Sequence, residues 1–494
     1  MKYISTRGGA PVTAEQAILT GLAPDGGLYV PEKMPRSMAN GDVAILAWLA
    51  YARRAAHIMA MFLDDFPIEL LTDHAEAAYG EARFGPNPAP VVKAGEDNYF
   101  LELWHGPTCA FKDMALQILP RLLSESLKKS GQKEDALILV ATSGDTGKAA
   151  LEGFCDIDRT KIMAFYPRDG VSRIQQLQMT TQEGANVAVQ AVNGNFDDTQ
   201  TGVKAIFSDP AMQRAAAEAG YQFSSANSIN WGRVLPQIVY YISAYCDMVI
   251  KRHIKFGETL NVCVPTGNFG NILAAHYVKS LGVPIGKLIC ASNQNDVLTE
   301  FIRTGVYNRN RPFHLTLSPS MDILISSNLE RLLFDLSGRD SELVCHLMDQ
   351  LKQTGSYTVP EAMREKMADI FWADASDDTR TKATIQRVFQ NDGYLLDPHT
   401  AVAQDVVEKY RAATGDETKT LTVSTASPYK FCGAVLGALG EKVGSDGPEL
   451  IDALFAKTGA PVPAQLKALE KKTERFTGFV EKDGMAEAVR RFMV

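Results

Sequence analysis

The run His105-Gly106-Pro107-Thr108-Cys109-Ala110-Phe111-Lys112-Asp113 places an amine just after a turn-forming Gly-Pro pair. It leads into an apolar-periodic segment, Met114 to Leu123, that reads as a helix. Lys112 then occupies a helix start, where unpaired backbone N–H groups and the positive dipole end disfavour a further positive charge. Partly covered by Phe111, such an amine has a lowered pKa and becomes a usable nucleophile. By themselves the same residues also describe a surface lysine at a helix start.

Three loops downstream have chemistry of their own. Thr142-Ser143-Gly144-Asp145-Thr146-Gly147 combines small residues, hydroxyls and a helix N-terminus, a cup suited to an anion. It is not a Mg-nucleotide loop, because Lys148 is followed by Ala149 and no glycine stands five residues before Gly147. Pro265-Thr266-Gly267-Asn268-Phe269-Gly270-Asn271 again joins a buried strand to a helix. It suits a phosphate, but not that of a dinucleotide, since G-x-G-x-x-G is absent. Ser424-Thr425-Ala426-Ser427-Pro428 offers a hydroxyl that could meet a heteroaromatic nitrogen, or simply caps a helix. Beside these, Ser225-Ala226-Asn227-Ser228-Ile229-Asn230-Trp231-Gly232-Arg233 is dense in donors suited to a phosphate or carboxylate, or is a capped loop packed under Trp231.

These loops need elements to hold them. From Tyr99 the sequence alternates strand, loop and helix. Ala136 to Thr142, Lys161 to Tyr166, Asn186 to Val192, Leu260 to Pro265, Lys287 to Ser292 and Leu421 to Thr425 are short apolar runs, each followed by a helical pattern. That alternation predicts an α/β fold with parallel sheets covered on both faces, and ligands at the carboxyl ends of the strands. The expected organisation is a mostly helical N-terminal unit (1–93), a smaller α/β domain (94–225) and a larger α/β domain (226–494). The larger one carries a helical insertion at about 320–391 and C-terminal covering helices. Val234 to Ile250 reads as a long apolar helix, a bridge between domains or an oligomer surface.

At 494 residues the chain exceeds one core, and its composition (46% hydrophobic, 22% charged) is that of an ordinary globular protein. A net charge of −8 without basic runs argues against nucleic-acid binding. Seven scattered cysteines match a reducing compartment, and no apolar leader or membrane-length run is present, so a cytoplasmic enzyme is expected. The eight histidines are dispersed and no G-x-S-x-G elbow occurs, which leaves metal hydrolysis and acyl transfer without support.

An activated lysine, a phosphate cup and an anion cup together read as a pyridoxal 5′-phosphate (PLP) site: lysine for the Schiff base, Gly-Asn loop for the cofactor phosphate, Ser-Gly loop for an amino acid carboxylate. At this point the chain resembles the threonine synthase family, in its longer bacterial and fungal form, within the fold-type II PLP enzymes. The resemblance rests on seven ordered motifs: Y-I-S-T-R-G-G, D-G-G-L-Y-V-P, H-G-P-T-C-A-F-K-D, A-T-S-G-D-T-G, S-A-N-S-I-N-W-G-R, P-T-G-N-F-G-N and S-T-A-S-P-Y-K-F.

The resemblance implies two open, mostly parallel sheets with the cofactor in the cleft between them. It implies Lys112 as the Schiff-base lysine, Gly267, Asn268, Phe269 and Asn271 as the cofactor phosphate loop, and Thr425 facing the pyridine nitrogen. Ser427 is a small departure from the family pattern. The implied reaction is O-phospho-L-homoserine plus water giving L-threonine and phosphate, the last step of threonine biosynthesis, in a monomer or homodimer. Asn227, Ser228, Asn230 and Arg233, with Thr6 and Arg7, are candidates for the substrate phosphate. Thr142, Ser143, Asp145 and Thr146 are candidates for its carboxylate end, with Asp145 orienting donors because an anionic Asp145 repels a carboxylate. Competing readings are a dehydratase or β-replacing synthase of the same fold type, a phospho-lyase forming 2-oxobutyrate, and a PLP-binding homologue without synthase activity. The first group has no need of a second phosphate site; the last has no need of an intact lysine and both anion loops.

Overall fold

The structure is a computed structural model and describes residues 1–142, 144–444 and 447–494. Among the described residues the strands form four sheets. The largest runs Phe371–Ala375, Ile285–Ser292, Leu260–Pro265, Thr420–Ser424, Asn98–Glu102 and Val91–Ala94. Its neighbours are parallel except for the last pair. The second sheet is parallel throughout, in the order Phe479–Glu481, Val187–Asn193, Thr160–Pro167, Asp135–Ala141 and Tyr221–Ser224. Leu260–Pro265 and Thr420–Ser424 are buried along their whole length, as expected of central strands covered on both faces.

Three boundaries differ from the sequence reading. Residues 91–102 form a hairpin on the larger sheet, so the expected division at 93/94 cuts through a paired unit. Its short strands give no sign in sequence of which sheet edge they join. Phe371–Ala375, inside the stretch read as a helical insertion, is the outer strand of the larger sheet. The C-terminus does not only cover the larger domain. Phe479–Glu481 adds to the smaller sheet, and the Met485–Met493 helix seals the core beside it through Met485, Ala488 and Val489.

Helix Trp231–Ile250 is buried on nearly every face, so it bridges parts of the chain and does not lie on a surface open to a second copy. Trp231 packs against Tyr3, Phe62 and Tyr277, with ring centroids 5.5–5.8 Å apart, joining the N-terminal unit to the core. Arg54, buried, donates to Asp247 Oδ1 at 2.6 Å and to the Leu46 and Ala47 carbonyls. The N-terminal unit also contains a small antiparallel sheet of Val12–Thr13, Lys2–Ser5 and Tyr29–Pro31.

Candidate active site

The segment after Lys112 is not one helix. Asp113–Leu116 makes a single turn and Leu119–Ser130 follows, with Pro120 in the first turn of the second piece. Proline has no N–H to return to the Leu116 carbonyl and its ring crowds that oxygen. Gly153 lies against the Leu116 carbonyl so closely that an added Cβ would stand 1.8 Å from the oxygen. The loop before the turn is closed by Asp113, whose carboxylate accepts from the Thr108 N–H and hydroxyl at 2.8 Å each. Burial pushes the Asp113 carboxyl up to about 7, against the lowering by those two bonds.

The last loop is clipped onto this one. Phe111 N–H donates to the Thr425 carbonyl at 2.8 Å, Ala110 and Ala426 form a β-bridge, and Ser427 N–H donates to the Cys109 carbonyl at 3.1 Å. Cys109 holds a positive φ of 58° within that clip, a backbone state non-glycine residues rarely adopt. Lys112 and Thr425 are thereby fixed side by side, both buried.

Among the described residues the Lys112 amine has three close neighbours. Ser320 Oγ is at 3.4 Å, Asp145 Oδ2 at 3.7 Å, and the Phe111 ring centroid at 4.8 Å. Burial lowers its pKa, Asp145 opposes that, and Lys430 and Arg233 add to it. The expected direction is present, and its main cause is burial, with only a one-turn helix behind the lysine.

Asp145 begins the Asp145–Phe154 helix. It is pinned by two residues that sequence reasoning passed over: Lys430 Nζ at 2.8 Å and Gln175 Nε2 at 3.0 Å, both on Oδ1. Burial raises the Asp145 carboxyl, but Lys430 and Lys112 together hold it well below the usual carboxylate range. Thr142 Oγ1 accepts from Gly144 and Gly147 N–H at 3.0 and 2.9 Å, so its hydroxyl shapes the cup and is not left for a ligand. Gly144 has φ +138°, and a Cβ there would meet the Gln175 side chain at 2.5 Å. Thr146 is half-buried beside it, and Ser143 lies outside the described residues.

The Gly267–Asn271 loop precedes the Gly270–Ser280 helix, which has no side-chain N-cap, and Phe269 stands at φ 63°. Tyr240 and Tyr241 both donate to Asn271 Oδ1, at 2.6 and 2.5 Å. Asn271 Nδ2 is left buried with no acceptor among the described residues. An orphaned donor beside uncapped helical N–H groups fits a bound phosphate and would be costly without one. Asn268 orders the neighbouring turn through its carbonyl, which accepts from Asn328 N–H at 3.1 Å. Gly267 lies against Ser320, whose carbonyl would be 2.8 Å from an added Cβ.

The Ser225–Arg233 stretch divides. Arg233 is buried, gives one nitrogen to the Ala226 carbonyl at 2.6 Å, and leaves Nε without an acceptor among the described residues. Burial lowers its pKa to about 10. Ser228 Oγ accepts from Asn328 at 3.4 Å, and Asn227 is exposed. Asn230 departs from its expected role. Its Oδ1 caps the long helix at Gly232 N–H and its Nδ2 donates to the Ile18 carbonyl, both at 2.8 Å, so the amide is spent on structure. Thr6 and Arg7 are likewise taken, both donating to the Glu330 carboxylate.

Lys112 and Lys430 lie against one carboxylate and Arg233 adds a further positive charge near Lys112, an excess suited to phosphate groups. Among the described residues no group of three or more His, Cys, Asp or Glu is placed to hold a metal ion, and no helix is long and apolar enough to cross a membrane.

Comparison with known proteins agrees with this geometry. A family model described as "Threonine synthase N terminus" matches residues 2–79, and "Threonine synthase, C-terminal" matches 400–493. Threonine synthase of Pseudomonas aeruginosa is 38% identical, the match covering 97% of this chain and 95% of that protein. The chain belongs to the threonine synthase family. The PLP-bound threonine synthase from Brucella melitensis superposes with a TM-score of 0.89 at 37% identity, covering 100% of this chain and 99% of that one. Human threonine synthase-like 1 is 41% identical over 88% of this chain, which spans only 60% of that longer protein. The fold is therefore that of the fold-type II threonine synthases, as the motifs implied.

Lys430 had a sequence signal that was not used. It is a lone cation among Pro428, Tyr429, Phe431 and Cys432, in a motif already singled out. Ser320 had none, because the Pro319–Met321 turn that carries it falls at the start of the stretch read as a helical insertion.

Proposed function

We propose that this protein is a threonine synthase, converting O-phospho-L-homoserine and water to L-threonine and phosphate with PLP held through Lys112. The observation that carries the reading is the buried Lys112 amine, its pKa lowered by burial, together with two buried donors, Asn271 Nδ2 and Arg233 Nε, that have no acceptor among the described residues. Two separate phosphate-binding points are what a phosphorylated substrate and a phosphorylated cofactor together require.

When bound, PLP supplies an electron-withdrawing ring that delocalises charge developing at the substrate α carbon. Asn271 and the N–H groups opening the Gly270–Ser280 helix would hold its phosphate, and the Thr425 hydroxyl would serve its ring nitrogen. Arg233 receives the substrate phosphate and stabilises the charge it carries away as the γ C–O bond breaks. As a free amine, Lys112 Nζ would move protons one at a time at the α, β and γ carbons, giving up each before it takes the next. Water gives its hydroxyl to the β carbon and its other proton to the departing phosphate, and Lys112 would restore the α proton. Asp145 and Thr146 order the loop that takes the substrate carboxylate.

All these groups come from one chain, which suits either a monomer or a homodimer. We place the protein in the cytoplasm on its cysteine usage, seven free thiols. We also propose three units: the N-terminal one, a smaller α/β domain and a larger one. The deciding experiment supplies purified protein with PLP and O-phospho-L-homoserine and quantifies phosphate and threonine together. Equal release of both supports the synthase; phosphate with 2-oxobutyrate makes it a phospho-lyase; neither product overturns the reading.

A further inference from the structure

Lys430 is the most completely enclosed ammonium group at the site. Its side chain has no solvent exposure, and Nζ donates to the Thr108 carbonyl at 2.9 Å and to Asp145 Oδ1 at 2.8 Å. Asp145 is thus shared by two lysines: Lys430 on Oδ1 at hydrogen-bond distance, Lys112 on Oδ2 at the looser 3.7 Å. A lone buried carboxylate would pair with Lys112 itself and keep that amine as an ammonium, which cannot attack a carbonyl.

We propose that Lys430 is a positioning residue that occupies Asp145 as its counter-ion, so that Lys112 is not locked in an ion pair and the helix start at Asp145 carries no net negative charge toward a substrate carboxylate. This rests on the reading of Lys112 as the cofactor lysine. The arrangement answers a difficulty in the family motif, where an aspartate stands at the place meant to receive an anion. Lys430 neutralises that aspartate from behind, and Gln175 holds the same oxygen from the side. The remaining charged or titratable groups nearby do not substitute for it. Arg233 donates to the Ala226 carbonyl and makes no hydrogen bond or ion pair with Asp145 among the described residues, and Asp113 is tied to Thr108. Cys109 is a thiol that burial pushes up to about 12. Lys148 and Glu152, further along the Asp145–Phe154 helix, pair with each other at 3.0 Å.

The test uses the full-length protein, stripped of PLP and re-equilibrated with it. The pH dependence of borohydride trapping of PLP on Lys112 is read by peptide mass spectrometry, with thermal unfolding run in parallel. In Lys430→Met the trapping midpoint should rise by about 1–2 pH units, the effect of an opposite charge left a few ångströms from an amine. Lys430→Arg should stay near wild type, and Lys430→Met combined with Asp145→Asn should bring the midpoint back down. If Lys430→Met does not fold, Lys430→Gln with the same Asp145→Asn partner makes the same comparison. Loss of thermal stability with an unmoved midpoint, or a raised midpoint that Asp145→Asn does not reverse, overturns the inference. Absence of a Lys112 adduct in the wild-type protein would instead overturn the assignment of Lys112, a separate failure.

Discussion

The backbone N–H of Phe111 donates to the carbonyl of Thr425 at 2.8 Å, tying the lysine loop to the loop that follows a central strand of the larger sheet. The contact is between main chains, so it leaves the Thr425 side chain to the ligand. Thr425→Ala should therefore keep the fold while weakening PLP binding by about tenfold, the value of one hydrogen bond. Equilibrium dialysis against PLP, together with an unchanged thermal midpoint, checks this.

Asn271→Ala removes the buried donor beside the uncapped helix start and strands the Tyr240 and Tyr241 hydroxyls. PLP affinity should fall by about 10- to 100-fold. Asn271→Asp should fall further, since a carboxylate at that point repels phosphate. Fluorescence titration of the stripped protein with PLP distinguishes the three.

Gly153 touches no ligand, yet an added Cβ would meet the Leu116 carbonyl at 1.8 Å and push on the turn that begins after Lys112. Gly153→Ala should lower kcat at least tenfold while secondary structure measured by circular dichroism is retained. Normal turnover would mean that the Asp145–Phe154 helix and the Lys112 turn yield to each other without cost to the site.

Arg54 and Arg36 separate a buried ion pair from an exposed one. Arg54, enclosed beside Asp247 with four further acceptors around it, should cost about 3–5 kcal/mol when changed to Met, because Asp247 is left without its partner. Arg36, which pairs with Asp42 at the surface, should cost no more than about 1 kcal/mol as Arg36→Ala. Urea unfolding of both variants measures the contrast.

Asp113 gives a pH dependence of definite sign. Its carboxyl is pushed up to about 7 in the folded protein, above an unfolded carboxyl near 4, so the folded state holds the extra proton between those values. Its contribution to stability is therefore fullest below about pH 4, declines as pH rises, and is flat above about pH 7. Asp113→Asn removes this decline. The stability deficit of the variant relative to wild type should shrink from pH 4 to 7, by at most about 1.4 kcal/mol per pH unit. A deficit independent of pH over that range would rule out the assignment.

Much of this protein was determined locally and could be read in its sequence. The apolar strand runs, the Gly- and Ser-rich turns after them and the helix starts carry their own backbone preferences, so the α/β alternation was legible, and with it the place of the 267–271 loop between a buried strand and a helix. What required the tertiary structure was the partner of each polar group. Asn230 and Arg233 stand three residues apart in one donor-rich stretch, yet Asn230 closes a helix against Ile18 while Arg233 keeps a free Nε in the pocket. Thr6 and Arg7 looked suited to phosphate until Glu330 was placed against them. Lys430 reaches Asp145 only because the loop after Thr420–Ser424 of the larger sheet meets the helix start that follows Asp135–Ala141 of the smaller one. A hydrogen bond or ion pair acts over about 3–4 Å. Which donors are consumed by the protein and which remain for a ligand is therefore settled by residues far apart in the chain, and no local pattern encodes that distance.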